Sequence, residues 1–284
     1  MHPFFLRIVV FATIVVFISC TKQELVVVPD NEAPLVNNVP QIKIENYVNR
    51  VFIDLLGREP LDEEMTLEVN TLKDARLSEI VRINLITKLQ TGTDFVVGDT
   101  SYQRAYYQNL YNLAKIRCLE GASDRKLREF RLGDDVERVN AVLATRIDLQ
   151  EENIQLHQAF ARMVNTPVYD VINMNSFNFV NATFDNLLWR FPTNAEFDAG
   201  FDMVEHQRMA TLFGQTGQDK VSYIQIITES KEMFEGLLIW SYQQLLSRRP
   251  SSEETSFLLD DFFQHRDIRL LQRQIMIGDE YANF

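Results

Sequence analysis

The chain has 284 residues, of which 46% are hydrophobic and 24% charged, with 28 Lys and Arg against 40 Asp and Glu. A formal charge of −12 argues against nucleic acid and anionic membrane surfaces as general partners. Two cysteines exclude a disulfide-built scaffold. Few glycines and little alternation of β-branched residues argue against a β-rich one.

Residues 1–19 read as a lipoprotein signal peptide. Arg7 supplies positive charge, Ile8 to Ile18 is apolar apart from Thr13, and Phe17-Ile-Ser-Cys20 resembles a lipobox with Phe where Leu is usual. The apolar run is shorter than the ~20 residues that span a bilayer, which sets an uncleaved anchor second. Cys20 is therefore expected to carry lipid, each buried CH₂ contributing ~0.8 kcal/mol to anchoring. Removing residues 1–19 takes away one Arg and no acid, leaving a body of formal charge −13. Residues 20–43 form a tether, since Pro29, Pro34 and Pro40 among polar residues deny it a regular element. A flexible tether of this length spans roughly 25–30 Å.

The body from residue 44 is organised by a thirteen-residue pattern that occurs three times. It reads Phe52-Ile-Asp-Leu55-Leu56-Gly-Arg58-Glu-Pro60-Leu-Asp-Glu-Glu64, then Phe184-Asp-Asn-Leu187-Leu188-Trp-Arg190-Phe-Pro192-Thr-Asn-Ala-Glu196, then Tyr242-Gln-Gln-Leu245-Leu246-Ser-Arg248-Arg-Pro250-Ser-Ser-Glu-Glu254. Ahead of the first copy, Ile44, Tyr47, Val48, Val51, Phe52 and Leu55 form a helical stripe. A residue before proline is pushed out of the helical region, so the incoming helix should stop near the Arg and a second one start after the Pro. Thr193 with Glu196, and Ser251 with Glu254, have capping-box spacing, whereas Leu61 breaks the box of the first copy and leaves Asp62 to cap. Each Arg is expected beside its own Glu or on helix-end carbonyls. Downstream, each copy leaves through a small residue, an acid and an aromatic: Gly92-Thr-Asp94-Phe95, Ser230-Lys-Glu232-Met-Phe234 and Gly278-Asp-Glu280-Tyr281. The unequal spacing of the copies excludes a regular solenoid.

Residues 99–181 separate the first copy from the second. A helix capped from within Asp99-Thr-Ser101 is expected to carry Tyr102, Tyr106, Leu110 and Leu113 on one face, and a longer helix is expected from about 134 to 164. The stretch Asn173-Met-Asn175-Ser-Phe177-Asn-Phe179-Val-Asn181 is expected as a loop, because Asn side chains compete with helical bonding. With Trp189 it is the candidate recognition surface, Asn173, Asn175, Phe177 and Phe179 being its contact residues. Gly214 to Lys220 fails the phosphate-loop pattern and reads as a flexible link. No catalytic constellation stands out. Cys118 reads as a buried small hydrophobe, and His157, whose helical neighbours include no acid, as a half-buried structural histidine. None of the histidines has metal-ligand spacing, so neither metal nor cofactor is expected.

The Leu-Leu-x-Arg-x-Pro-x-x-x-Glu corner with its acid–aromatic exit resembles the helical repeat units of planctomycete-type surface proteins found beside c-type cytochrome domains. It is also similar to the phycobilisome-linker-like repeat modules of bacterial extracellular proteins. The resemblance covers about half the chain and implies an all-helical, extracytoplasmic protein; its cytochrome association is not carried over, for the chain has no Cys-x-x-Cys-His.

The expected fold is all-α, an irregular multi-helix bundle with three related helix–turn–helix corner units. Units at 44–98, 99–181 and 182–284 together make one globular body. The expected function is a lipid-anchored scaffold or protein-interaction module of the cell envelope. It would sit on the outer membrane, periplasmic or surface-exposed, with another envelope protein as partner and no nucleic acid. An envelope glycan or peptide binder, stacking ligands on Trp189 or Trp240, is the alternative, and an unrecognised hydrolase the third.

Overall fold

The computed structural model describes residues 39–96, 99–133 and 135–284; the signal, Cys20 and the tether as far as residue 38 lie outside the described residues. Of the described residues 72% are helical, and among them is one two-stranded hairpin. Among the described residues no helix is long and apolar enough to cross a membrane. Helix α1 (Gln41–Leu56) begins inside the stretch expected as tether, and buries Ile44, Tyr47, Val48, Val51, Phe52 and Leu55. It is followed by α2 (Asp62–Asp74), α3 (Glu79–Thr91), α4 (Tyr102–Leu119), α5 (Asp124–Glu129), α6 (Asp135–Gln150), α7 (Leu156–Val164) and α8 (Pro167–Asn173). Next come α9 (Ser176–Thr183), which runs on into a π-helical turn (Phe184–Leu188), and α10 (Asn194–Val204). Strands β1 (Ala210–Leu212) and β2 (Gln215–Gly217) pair antiparallel ahead of α11 (Lys220–Glu229), α12 (Lys231–Leu246), α13 (Ser252–His265), α14 (Ile268–Met276) and α15 (Asp279–Ala282).

The structure departs from three expectations. The single helix expected over 134–164 is two, because the chain leaves α6 through Glu152 at φ 57° and re-enters at α7 with Gln158 closing on the Gln155 amide at 2.8 Å. The stretch 173–181 is not a loop. Asn175 does what makes asparagine a poor interior residue, its side-chain oxygen accepting from the Asn178 amide at 2.9 Å, and thereby starts α9. The glycine-bearing segment 214–220 is a hairpin turn and strand followed by a helix cap, with Asp219 accepting from the Ser222 amide at 2.8 Å.

The three copies of the pattern are three corners of one design. In each, the incoming helix stops at a residue in the left-handed region: Gly57 (φ 72°), Trp189 (54°) and Ser247 (56°). Other helices stop the same way, α4 at Glu120 (φ 52°) between the first and second copies, α13 at Arg266 (57°) and α15 at Asn283 (56°). The stops at Gly57, Glu120, Trp189 and Ser247 lie 63, 69 and 58 residues apart. The middle third therefore carries a corner of its own without the motif. Ser123 caps its outgoing helix α5, and Lys115 meets Asp124 at 2.7 Å where the other corners have Arg and Glu.

Backbone carbonyls left open at the helix C-termini are taken by donors from elsewhere in the body. Asn109 on α4 donates to the Asp54 and Leu55 carbonyls, both at 3.1 Å. Arg117, at the end of the same helix, donates to the carbonyls of Asp185 and Asn186. Arg50 on α1 donates to the Leu245 carbonyl and to that of Tyr281. The last helix closes on the first: Tyr281 donates to Asp54 at 2.8 Å and sets its ring edge-on to Tyr47, and Lys43 reaches the Asn283 carbonyl at 2.9 Å.

Helix α12 is both the last helix of the second corner unit and the first of the third. It packs its backbone directly on the π-helical turn. A Cβ at Gly236 would lie 2.2 Å from the Leu187 carbonyl oxygen and 2.9 Å from the Leu188 Cα. A π turn is wider than an α turn, and here its Leu187 carbonyl meets α12 where that helix has no side chain. Both neighbours are backbone and cannot swing aside, so Gly236→Ala is expected to cost about 2–3 kcal/mol by overpacking. Urea unfolding would show it as a lower midpoint, and an unchanged midpoint would mean that the two backbones are not in this contact.

Candidate functional site

The nine motif residues predicted to act together do converge, corner by corner. Arg58 grips Glu64 with both terminal nitrogens at 2.7 and 2.9 Å; Arg190 and Glu196 meet at 2.9 and 2.6 Å; Arg248 and Glu254 meet at 2.8 and 2.6 Å. Each guanidinium also donates to the carbonyl of the following residue and lies 5.2–5.5 Å over the aromatic six positions upstream. Each Glu accepts in addition from the backbone amide just past the proline, of Leu61, Thr193 or Ser251, at 2.6–2.7 Å. Pro60, Pro192 and Pro250 thus stand between the two ends of each pair. At the first corner only this half of the box is made, since Leu61 has no side-chain acceptor and Asp62 is already helical.

The exit acids behave unequally. Glu280 completes a second pair with Arg248 at 2.6 Å, while at the first corner the corresponding partner of Arg58 is Asp99 at 2.5 Å rather than Asp94. The aromatic that closes the first corner is not Phe95, which is 73% exposed. It is Tyr102, whose hydroxyl donates to Glu64 at 2.9 Å.

The residues singled out for recognition are only partly presented. Asn173 is buried and bonds the Tyr169 carbonyl at 2.8 Å, Asn175 is spent as a helix cap, and Phe179 is in the core. Trp189 is 7% exposed, covered by Arg117 at 4.5 Å and by Trp240 at 6.2 Å, so it offers no surface platform. Phe177 is different: it is 58% exposed and begins a surface file of rings. Its centroid lies 5.0 Å from Phe197, which lies 5.6 Å from Phe201, which lies 5.3 Å from His206. Phe197 and Phe201 are four apart on α10 and partly exposed, and their spacing alone would have shown a shared face. That Phe177 continues it from another helix could not be read locally. Acids border the file, namely Asp198, Asp202 and Glu205, the last held by Ser176 at 2.5 Å.

Two buried groups were read from sequence as structural. His157 is fully buried rather than half-buried, and an acid does face it, from 72 residues away: Glu229 lies 3.3 Å from its Nε2. Arg266 donates to the other oxygen of Glu229 at 2.7 Å. Burial lowers the His157 pKa, Glu229 opposes that, and Arg266 adds to it. Cys118 is buried, which pushes its thiol up to about 12 and leaves it a poor nucleophile. Among the described residues no group of three His, Cys, Asp or Glu is placed to hold a metal ion.

Comparison with protein-family models, with curated proteins and with solved structures gives no match.

The corners set an acid limit to stability. The Arg190 guanidinium holds the Glu196 carboxyl at about 2, and Arg248 does the same for Glu254, both against a usual 4.5. A carboxylate whose pKa is lower in the folded chain stabilises it above the unfolded value, and that contribution fades as pH falls from about 4.5 to about 2. Solvent at these half-open corners screens the effect, leaving up to about 1 kcal/mol for each. Melting temperature should therefore fall through this window, and Glu196→Gln and Glu254→Gln should each lower it at neutral pH and flatten the acid slope. A slope identical in the double variant would place the acid sensitivity elsewhere.

Proposed function

We propose that this protein is a lipid-anchored module of the cell envelope that binds another protein through the aromatic face of α9 and α10. The observation that carries the reading is the file Phe177–Phe197–Phe201, adjoining rings of which Phe177 is exposed and the other two only partly covered, although a large core stands beneath them. Apolar surface left in water forgoes about 25 cal/mol for each Å² that could be buried, and contiguous apolar patches of this kind mark interaction sites. Aromatic rings are also the residues that dominate binding at the centre of interfaces. The acids along the edge favour a partner whose apolar patch has a basic rim, which they would steer into place. Anchoring rests on the sequence alone, on the apolar run before Cys20, and gives the outer membrane as the site of action.

Labelled palmitate should enter the full-length protein and fail to enter Cys20→Ala. A protein recovered in fixed stoichiometry after cross-linking in membranes should be lost with Phe197→Ser/Phe201→Ser, whose melting temperature should stay near that of the unaltered protein. Recovery unchanged by those two substitutions would move the interface off this face, and palmitate entering Cys20→Ala equally would remove the anchor.

A further inference from the structure

A cleft of about 210 Å³ opens where α1, α4, α12 and α14 meet, away from the aromatic file. Its walls combine apolar surface from Ile53, Leu113 and Leu245 with a close set of polar groups from Asp54, Trp240, Ser241, Gln244 and Gln272. What each polar group has left to offer follows from its existing bonds. Gln272 gives its amide oxygen to Tyr106 at 2.7 Å and to Gln90 at 3.2 Å, which leaves its NH₂ as a donor. Ser241 spends its proton on the Leu237 carbonyl at 2.8 Å, which leaves its oxygen as an acceptor. Asp54 takes one proton from Tyr281 and keeps acceptor capacity on both oxygens. The indole N–H of Trp240 meets no acceptor among the described residues, yet it is not among the sealed, unpartnered atoms, which are Tyr47 Oη, Arg82 Nε and His157 Nδ1. Solvent therefore reaches it, and Trp240 is one of the residues that line this cleft.

The charge of Asp54 is balanced by Arg50, whose Nε lies 3.7 Å away, so the cleft has no unmatched charge to hold an ammonium or a carboxylate. Its walls offer both donors and acceptors beside apolar surface. The space is below the roughly 300–1,000 Å³ of sites for drug-sized ligands. A second, shallower groove of about 730 Å³ adjoins it, Asn109 lining both, and carries Arg104, Gln108 and Asn112 along α4 with Phe95 exposed at its margin.

We propose that the cleft binds a single neutral sugar ring, the terminal unit of a glycan whose next units follow the groove along α4. Adjacent ring hydroxyls, each both donor and acceptor, match the Trp240 and Gln272 donors on one hand and the Asp54 and Ser241 acceptors on the other. The C–H face of the ring matches the apolar surface. Trp240 then acts through its N–H and edge, since with 6% exposure it has no free face on which to stack a ligand.

The test uses the detergent-solubilised full chain with Trp189→Phe, which leaves Trp240 as its one tryptophan. Glucose, galactose, mannose and N-acetylglucosamine, with their oligomers, are titrated by tryptophan fluorescence and checked by saturation-transfer NMR on the unaltered chain. At least one sugar should shift the fluorescence saturably. Asp54→Asn, which keeps a partner for Tyr281, and Gln244→Ala, at an exposed position, should each weaken it about tenfold, or about 1.4 kcal/mol. Phe197→Ser should leave it unchanged, and an oligomer should bind more tightly than its monomer. No response to any of these sugars by either method overturns the site. So does binding that survives Asp54→Asn and Gln244→Ala but is lost with Phe197→Ser. Equal affinity for monomer and oligomer overturns the path along α4.

Discussion

Three corners of this protein turn on one two-pronged contact, an arginine holding both oxygens of a glutamate six residues on. The glutamate answers two demands at once. It accepts the amide left open at the start of the outgoing helix, and it neutralises an arginine that would otherwise sit unpaired beside an aromatic ring. The left-handed residue before each arginine is unfavourable by about 1–2 kcal/mol for a residue with a side chain. Trp189 and Ser247 occupy it at the second and third corners because the contact fixes the chain on both sides. The first corner uses glycine and avoids that cost.

Corners alone would give a string of hinges. They become a body because the carbonyls at their helix ends are bonded by residues of other units, Asn109, Arg117 and Arg50, and because α12 belongs to two units at once. The contact of Gly236 with the π-helical turn sits at that shared helix. A change there acts on the second and third units together, as neither can shift without α12.

How much of this was readable follows from distance along the chain. The Arg–Glu pairs lie within thirteen residues, and so did their reading. The second partners, Asp99 and Glu280, lie some 30–40 residues on, and nothing in the spacing of the motif points to them. The corner at Glu120 has neither Arg nor Pro nor Glu at the motif positions, and only its backbone shows it. The break between α6 and α7 was hidden because their apolar stripes run on in phase across it. Asn175 was read by its general preference against helices, when its position just ahead of a helix turns that same preference into a cap. His157 was judged by its own helix, while the group that matters to it, Glu229, comes from α11. The cleft is the extreme case. Its lining residues lie on four helices spread from Ile53 to Gln272, and no window of sequence contains them.

The clasp between the first and last helices also bears on how the chain is made. The apolar face of α1 is finished by Tyr281, and Lys43 by the carbonyl of Asn283, 240 residues later. Contacts that distant form only after the whole chain is available, and closing so long a loop slows folding more than it weakens the folded state. During synthesis α1 must wait with Tyr47 and part of its stripe open. A growing chain in that state is prone to meet other unfinished chains, and a factor that covers short apolar helices would have its natural target in the residues that follow Val39.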